Sequence, residues 1–493
     1  MTAPPRAVVW DRGHRPAVAE IEAIAFDDAR VELSDGLLAG LATSHAATVA
    51  ALGTASPVYG VTTGQGHFAD HSLTGEEAAA HQRNLLLGRA VGSEPWLPRA
   101  ESRALLAVRL ARFASGLAGV SPGLCSVIAD RLNDGFTPAV PRTGNGSAGE
   151  VIPLAHAFQT LVGVGRVLGP DGRTEDASAA LAARAAAPYA LRAKEGMALL
   201  AGSPGTTALA LARRRSCARL AGRLLEGAAC SLDAAGVPLD AVSPKVGRLG
   251  DDPLLSAILG RLDALLAGAS EDRPVTQGPT SFRVVPQVQA HLERTIARLG
   301  EDLDRALVAC DDSPALVDGS FVSTGAFHEI ELAAGMDSLA AALARSAETA
   351  LQRVHRMLDG RVTGLPDQLT PAPGPRCGLV VLHKRGVGAV AELRRRATPV
   401  SVGVMDTSLG QEDVQSFGFA AADNLRRVED LTREVLAIEL IASRQAWWLR
   451  GRPCSDGLRE IAGRIAERVP PVDLDRPLGD DVQRVVELID PRT

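Results

Sequence analysis

A glycine-rich loop that runs directly into an apolar segment is the stretch of this sequence most suited to chemistry. Residues 141–156 read PRTGNGSAGEVIPLAH, with Gly144, Gly146 and Gly149 two or three residues apart. Glycines allow positive φ and close approach of another group, and a loop ending at a helix start leaves N–H groups at the positive end of the dipole. The pattern predicts a cradle for negative charge. The alternative is that the glycines only turn the chain.

A tyrosine at the start of a second glycine-rich stretch is a candidate for acid/base chemistry. Residues 59–66 read YGVTTGQG, and the only other tyrosine of the chain is Tyr189. The ordinary pKa of a phenol is about 10, so Tyr59 needs a positive environment that lowers this pKa if it is to act as a base. We expect helix N-termini to supply that environment. The alternative is a tyrosine that only packs its loop.

These two stretches and five further motifs, in the same order, resemble the aromatic amino acid ammonia-lyases and aminomutases. The family pattern Tyr-Gly-x-Asn/Thr-Thr-Gly-Phe-Gly matches from Tyr59. The pattern Gly-Ala-Ser-Gly-Asp, two apolar residues and Pro-Leu-Ala-His matches the loop that ends at His156. The resemblance extends to about Leu449. It implies an all-α fold, the long helical bundle of the histidine and phenylalanine ammonia-lyases, and a homotetramer whose sites combine loops from several chains.

Composition and periodicity agree with long helices. Ala, Leu and Arg favour helix, aromatic residues are only 3% of the chain, and apolar patterns predict helices over residues 37–52, 206–234 and 253–268. We expect an N-terminal domain carrying the active-site loops over residues 1–200. A long-helix bundle with the C-terminal helices should follow over residues 201–493, within one continuous unit.

The residues that would build the family's electrophile depart from the pattern. In the family an Ala-Ser-Gly triad cyclises and dehydrates to a methylidene-imidazolone (MIO), whereas the aligned residues here are Ser147, Ala148 and Gly149. Because alanine has no hydroxyl to lose, we expect no MIO group. The resemblance implies that no metal or diffusible cofactor is needed. The alternative is a shifted cyclisation of residues 146–148, with the Ala148 nitrogen closing the ring. Two family asparagines and a tyrosine are also replaced, by Ala201, Ala326 and Thr280.

The groups that would bind and activate a substrate are mostly retained. The resemblance implies that Tyr59 is the catalytic base, that Glu412 lies near the substrate amine, and that Arg283 binds a carboxylate, for which bidentate pairing is strong. The alternative for Arg283 is an arginine that ties the bundle together. The other predicted substrate contacts in matching motifs are Gln82, Phe327 and Gln411.

Arg89 stands where histidine lyases carry a histidine that helps to select the substrate. A guanidinium suits a carboxylate, a phosphate or a carbonyl. If Arg89 faces the pocket, we expect a small-molecule substrate that is acidic, acceptor-rich or linked to a carrier. If it faces solvent, it is an ordinary helix arginine.

Charge and cysteine usage limit the partners and the compartment. The net charge of −6 gives no electrostatic footprint for nucleic acid or for an anionic membrane. The six cysteines are scattered without zinc spacing, which fits free thiols in a reducing cytoplasm. No signal-peptide layout or membrane-length apolar run is evident. We therefore expect a soluble cytoplasmic protein.

Three functions remain open on these residues. The first is a lyase, isomerase or cyclase that works without MIO, through Tyr59, next to a carboxylate or carbonyl of a specialised metabolite. The second is an MIO-dependent ammonia-lyase or aminomutase that uses the shifted cyclisation. The third is a catalytically silent relative that serves as a binding or structural subunit.

Overall fold

Helices dominate the residues that the computed structural model describes, which are 7–55, 57–169, 171–270 and 274–490. This confirms the predicted all-α class. The α-helices of this part of the chain are α1 (Val18–Phe26), α2 (Asp35–Thr54), α3 (Gly75–Leu87), α4 (Arg99–Ala114), α5 (Pro122–Asn133), α6 (Val151–Gln159), α7 (Ala177–Ala183), α8 (Glu195–Leu200), α9 (Pro204–Ala235), α10 (Pro253–Leu265), α11 (Thr280–Arg283), α12 (Val285–Val308), α13 (Ile330–Met357), α14 (Gly360–Thr363), α15 (Val380–Arg396), α16 (Gly418–Arg450), α17 (Arg459–Arg468) and α18 (Gly479–Ile489).

The strands are short and form two-stranded pairs. In the described ranges β1 (Ala7–Trp10) pairs parallel with β2 (Arg30–Leu33), while β3 (Arg166–Leu168) with β4 (Thr174–Asp176) and β5 (Ala315–Val317) with β6 (Ser320–Val322) are antiparallel. The three long helices predicted from periodicity are present as α2, α9 and α10. The last of them ends at Leu265, slightly before the predicted boundary.

The chain divides into two compact units, each assembled from separate segments. The first contains the chain through Arg213 together with Leu299–Met336 and Val400–Asp423. The second contains Arg214–Arg298, Asp337–Pro399 and the chain from Asn424. The expected division at residue 200 describes the order of motifs, whereas these units describe which segments pack together.

Three helices of the first unit form the support for the candidate site. Helix α3 packs against α6 and α8, and α6 packs against α8. Gly196 permits the close contact of α3 with α8, because a Cβ there would overlap the backbone carbonyl of Gln82. Helix α3 begins with a capping box in which the Thr74 hydroxyl accepts from the Glu77 N–H and the Glu77 carboxylate accepts from the Thr74 N–H, an arrangement that satisfies two free N–H groups at once.

A cluster of buried charges holds the loops beneath these helices. Arg109 and Arg112, both on α4, pair with Asp311, and Arg112 also pairs with Glu329 over 2.7 Å. Asp311 in turn accepts a hydrogen bond from the Ser203 N–H at 2.9 Å. Although burial opposes ionisation, the two guanidinium groups and the Ser203 N–H hold the pKa of Asp311 below its ordinary value. We name Arg109, Arg112, Asp311 and Glu329 the ionic cluster.

One helix of the described chain, α2, has the length and mean hydropathy of a membrane span. It lies near the N-terminus, and a single helix of this kind is weak evidence, because core helices and signal sequences have the same composition. The absence of a membrane partner therefore remains a prediction.

Candidate active site

The first unit contains a cavity of about 240 Å³ that is lined by the two glycine-rich loops, by α8 and by the loop before α16. Most of its wall is apolar, and the lining carboxylate is Glu412. Among the predicted site residues, the cavity brings together Tyr59, Ala148, Gly149, Phe327, Gln411 and Glu412. The fold thus places Tyr59 and Glu412, which are 353 positions apart in the sequence, on the surface of one cavity.

Tyr59 projects into this cavity as a neutral phenol. Its oxygen accepts a hydrogen bond from the Gly66 N–H at 2.9 Å, which requires the loop to fold back on itself and gives Gly66 a φ of 63°. Burial raises the pKa of Tyr59, and the opposing effects of the Gly66 N–H and of Arg89 are smaller. The expectation of an environment that lowers this pKa is therefore wrong, because desolvation of the phenolate outweighs the nearby positive charge.

The central loop presents Ala148 to the cavity through a contact with Glu412. The Ala148 N–H donates to Glu412 Oε2 at 3.0 Å, and Thr407 Oγ1 lies 3.4 Å from the same oxygen. Ser147 is turned differently, since its hydroxyl lies 2.9 Å both from Asn145 Oδ1 and from the Gly149 carbonyl oxygen. The hydroxyl of residue 147 is thus held inside the loop by hydrogen bonds.

Glu150 was not identified from the sequence, and it anchors the end of this loop. Its two carboxylate oxygens accept from the N–H groups of Gly205 and Thr206, at 2.7 and 2.6 Å. These N–H groups belong to the first turn of α9, where carboxylates are favoured by the dipole. Burial nevertheless raises the pKa of Glu150 to about 7. The acidic residue at the end of the family pattern was the available signal.

Gln82 and Arg89, both predicted substrate contacts, are not among the described residues that line the cavity. Gln82 is buried, and its amide donates to the Gly60 carbonyl at 3.2 Å and accepts from the Met197 N–H at 3.1 Å. It thereby connects α3 with the Tyr59 loop and with α8. Arg89 is half-buried, donates to the Leu85 carbonyl at 3.4 Å, and acts electrostatically on Tyr59 and Glu412. Both assignments as substrate contacts remain predictions.

The remaining predicted residues differ in their setting. The carbonyl oxygen of Phe327 accepts a hydrogen bond from the Ser203 hydroxyl. Because the Ser203 N–H donates to Asp311, the ionic cluster also helps to position the part of the cavity wall that Phe327 forms. Gln411 is exposed at the cavity. Arg283 belongs to the second unit, where it donates to the Gly278 carbonyl at 3.0 Å and to Thr280 Oγ1 at 3.2 Å. Its role as a carboxylate anchor remains a prediction.

A mainly helical scaffold that carries a cavity with a phenol and a carboxylate is suited to lyase chemistry. A family model described as aromatic amino acid lyase matches residues 17–467. The chain therefore belongs to the aromatic amino acid lyase family, and the prediction of a lyase-type enzyme is confirmed at this level.

Similar proteins agree with this placement. The histidine ammonia-lyase of Streptomyces coelicolor (strain ATCC BAA-471 / A3(2) / M145) is 36% identical over 442 residues, which cover 88% of this chain and 86% of the relative. The ergothioneine-degrading enzyme ergothionase of Treponema denticola has the same fold, with a TM-score of 0.94 at 22% identity and 98% of each chain covered. The tyrosine aminomutase of Streptomyces globisporus gives a TM-score of 0.90 at 26% identity, with 99% of this chain and 97% of that chain covered.

Proposed function

We propose that this protein is a lyase, isomerase or cyclase that works without an MIO group. In this proposal Tyr59 transfers protons at a carbon next to a carboxylate or carbonyl of a specialised-metabolite substrate. The observation that carries it is the shared cavity of Tyr59, Ala148 and Glu412, in which acid/base groups are kept while the residue at the electrophile position has no hydroxyl.

One feature of the central loop supports chemistry without MIO. Alanine at position 148 has no group that could leave as water, so the aligned residues do not fit the group and no step is assigned to it. The shifted cyclisation would need the Ala148 nitrogen, whose N–H donates to Glu412 Oε2 at 3.0 Å, to attack the Gly146 carbonyl carbon. The mass measurement below tests that register.

The chemistry follows from the state of the phenol. Because burial raises the pKa of Tyr59, its O–H is intact at neutral pH and donates a proton to the substrate in one half of the reaction. The phenolate so formed takes a proton back in the other half. The N–H groups at the start of α6, next to Gly149, stabilise negative charge that develops on the substrate oxygen.

We also propose a homotetramer in the cytoplasm that acts on a small molecule and has neither nucleic acid nor membrane as a partner. Exposed apolar side chains on the chain segments that contribute Gln65, Gln411 and Glu412 to the cavity support self-association, because exposed apolar surface marks interaction sites when it is extensive. They are Phe68, Val402, Val404, Met405 and Leu409. Light scattering of the purified protein measures the assembly, and a monomer would contradict this part of the proposal.

The first experiment is the intact mass of the purified chain with a peptide map across residues 144–156. We expect the unmodified mass. A deficit of two water molecules would overturn chemistry without MIO and would favour ammonia release from an amino acid.

The second experiment tests Tyr59. Candidate acids and carbonyl compounds are incubated in heavy water, and deuterium uptake and new products are followed by NMR. We expect Tyr59→Phe to lower the rate by about 10²–10⁴-fold. The wild-type rate should fall only at a pH above the ordinary range of a phenol, because burial raises the pKa of Tyr59. Tyr189→Phe is the matched control, since Tyr189 binds Ser121 and Glu195 instead. Full activity in Tyr59→Phe would exclude this role, and turnover of no compound would favour the silent subunit.

A further inference from the structure

Gln65 lines the cavity and carries a buried oxygen that has no hydrogen-bond partner among the described residues. The residue lies on the Tyr59 loop, in extended backbone between Gly64 and Gly66, and Oε1 is the buried atom. An acceptor left without a partner away from water costs about 1–3 kcal/mol, so buried polar groups are normally paired. Several buried side-chain atoms of the described chain have no partner, and of the residues that carry them Gln65 is the one that lines the candidate active site.

The loop does not depend on this amide for its shape. Its hydrogen bonds come from other groups: Thr62 Oγ1 accepts from the Val58 N–H at 2.9 Å, Tyr59 accepts from the Gly66 N–H, and Gln82 donates to the Gly60 carbonyl. Gln82 of the same unit is a structural glutamine by contrast, because its amide N–H donates to one backbone group and its amide oxygen accepts from another. The family pattern quoted above has phenylalanine where Gln65 stands, so the amide is a feature of this chain rather than of the pattern.

The surroundings of Gln65 define what the oxygen can bind. Met197, Leu200 and Phe327 give the cavity apolar walls, which suit the body of a small organic molecule. Glu412 is the lining carboxylate, and its Oε2 is already engaged by the Ala148 N–H. Amide and carboxylate oxygens both accept hydrogen bonds. These acceptors therefore favour a ligand group that donates hydrogen bonds.

We propose that Gln65 determines substrate specificity by accepting a hydrogen bond from the substrate. The substrate class is a compact molecule with an apolar body and an N–H or O–H donor at the end that meets Oε1. The next residue along the chain, Gly66, holds the Tyr59 oxygen through its N–H, so a donor bound to Gln65 is positioned beside the acid/base group. This inference rests on the proposed function in so far as the cavity is the active site, but it does not require Tyr59 to be the acid or base.

The test uses a matched pair of neutral probes, indole and benzofuran, which have the same shape and differ in that only indole donates a hydrogen bond. Dissociation constants for the full-length protein are measured by ligand-observed NMR titration. We expect the wild type to bind indole about tenfold more tightly than benzofuran, the ratio that one well-placed hydrogen bond to a buried acceptor supplies. Gln65→Leu should lose this preference by binding indole more weakly while keeping benzofuran.

Two variants isolate the acceptor. Gln65→Glu keeps two acceptor oxygens without an N–H, so it should retain the preference for indole. Gln352→Leu, at an exposed position on α13, is the matched control and should leave both constants unchanged.

Equal affinity of the wild type for the two probes would overturn the proposal, as would an unchanged ratio in Gln65→Leu or no binding of either probe. Because the wild-type ratio is a test by itself, the result does not depend on how well the leucine variant folds. Tyr59→Phe should keep the preference for indole, so a failure of the catalytic role of Tyr59 and a failure of the Gln65 proposal give different results.

Discussion

The ionic cluster and the cavity lie in the same unit, and their polar groups are used in opposite ways. In the ionic cluster the carboxylate of Asp311 contacts two guanidinium groups and a backbone N–H. In the cavity no ion pair of the described chain involves Glu412, which instead accepts from a backbone N–H, and Gln65 keeps a buried oxygen without a partner.

This difference separates a group that stabilises the fold from a group that is available to a ligand. Breaking a buried ion pair leaves an uncompensated charge, which is strongly destabilising. An acceptor that the protein leaves without a partner lowers stability in the free state and gains a partner when a donor binds. Removing polar groups from the two regions should therefore affect stability in one and ligand chemistry in the other.

The largest effect is expected for Asp311→Asn in the ionic cluster. The substitution leaves Arg109 and Arg112 with one compensating charge fewer in a buried site, so the free energy of unfolding should fall by about 3–5 kcal/mol. Urea denaturation measures this change. Arg361→Ala is the control, since Arg361 pairs with Asp359 at the exposed surface and such pairs contribute little to stability. Equal losses in the two variants would contradict the distinction.

A smaller effect is expected at Glu150, which lies between the two regions and titrates near neutrality. Since burial raises its pKa to about 7, the folded protein holds the proton where the unfolded chain has lost it. Its stabilising contribution is therefore complete below about pH 4.5 and is lost as the pH rises to about 7, by at most about 3 kcal/mol. Unfolding free energies of wild type and Glu150→Gln, measured from about pH 5 to about pH 8, should differ by an amount that changes over this interval.

Glu392→Gln is the matched control for that measurement. Hydrogen bonds from Arg427 and Arg396 lower the pKa of Glu392 to about 2, so its contribution is fully present above the ordinary glutamate pKa. The difference between wild type and Glu392→Gln should stay constant over the same interval. A constant difference for Glu150→Gln as well would show that Glu150 keeps its charge in the folded protein.

The smallest effect on stability is expected for Glu412→Gln in the cavity. The amide oxygen can still accept from the Ala148 N–H, and no ion pair is lost, so the free energy of unfolding should change by less than about 0.5 kcal/mol. Turnover in the heavy-water assay should nevertheless fall, because the carboxylate at the cavity wall is gone. A loss of more than about 2 kcal/mol would mean that Glu412 belongs with the ionic cluster as a structural residue.

The sequence was informative where a residue's role follows from a local pattern. Periodicity over many residues predicted the helices α2, α9 and α10. Closely spaced glycines predicted the two glycine-rich loops. Six predicted site residues line one cavity, because the motifs that carry them match the family in order and spacing. The sequence does not show the partners of the buried Glu195, which the structure identifies as Ser121, Tyr189 and Arg192.

The sequence could not predict the pKa shifts of ionisable groups or which polar groups are left without a hydrogen-bond partner. The pKa of Tyr59 depends on how much water the folded loops exclude, and the sequence predicted its direction wrongly. Both ends of the Gln82 amide make hydrogen bonds, whereas neither the oxygen nor the N–H group of the Gln65 amide holds the loop. This difference depends on neighbours that are distant along the chain. Glu150 looked like part of a motif and proved to cap a helix that begins more than fifty residues later.

The sequence by itself therefore determined the family, the helical class and which residue types are present at the site, including the alanine at position 148. These properties reside in residue identity and in short-range order, which a linear chain carries without folding. Only the tertiary structure decided which polar groups are paired and which are left for a ligand. Pairing and desolvation are sums over neighbours in space, and helix packing brings those neighbours together from positions hundreds of residues apart.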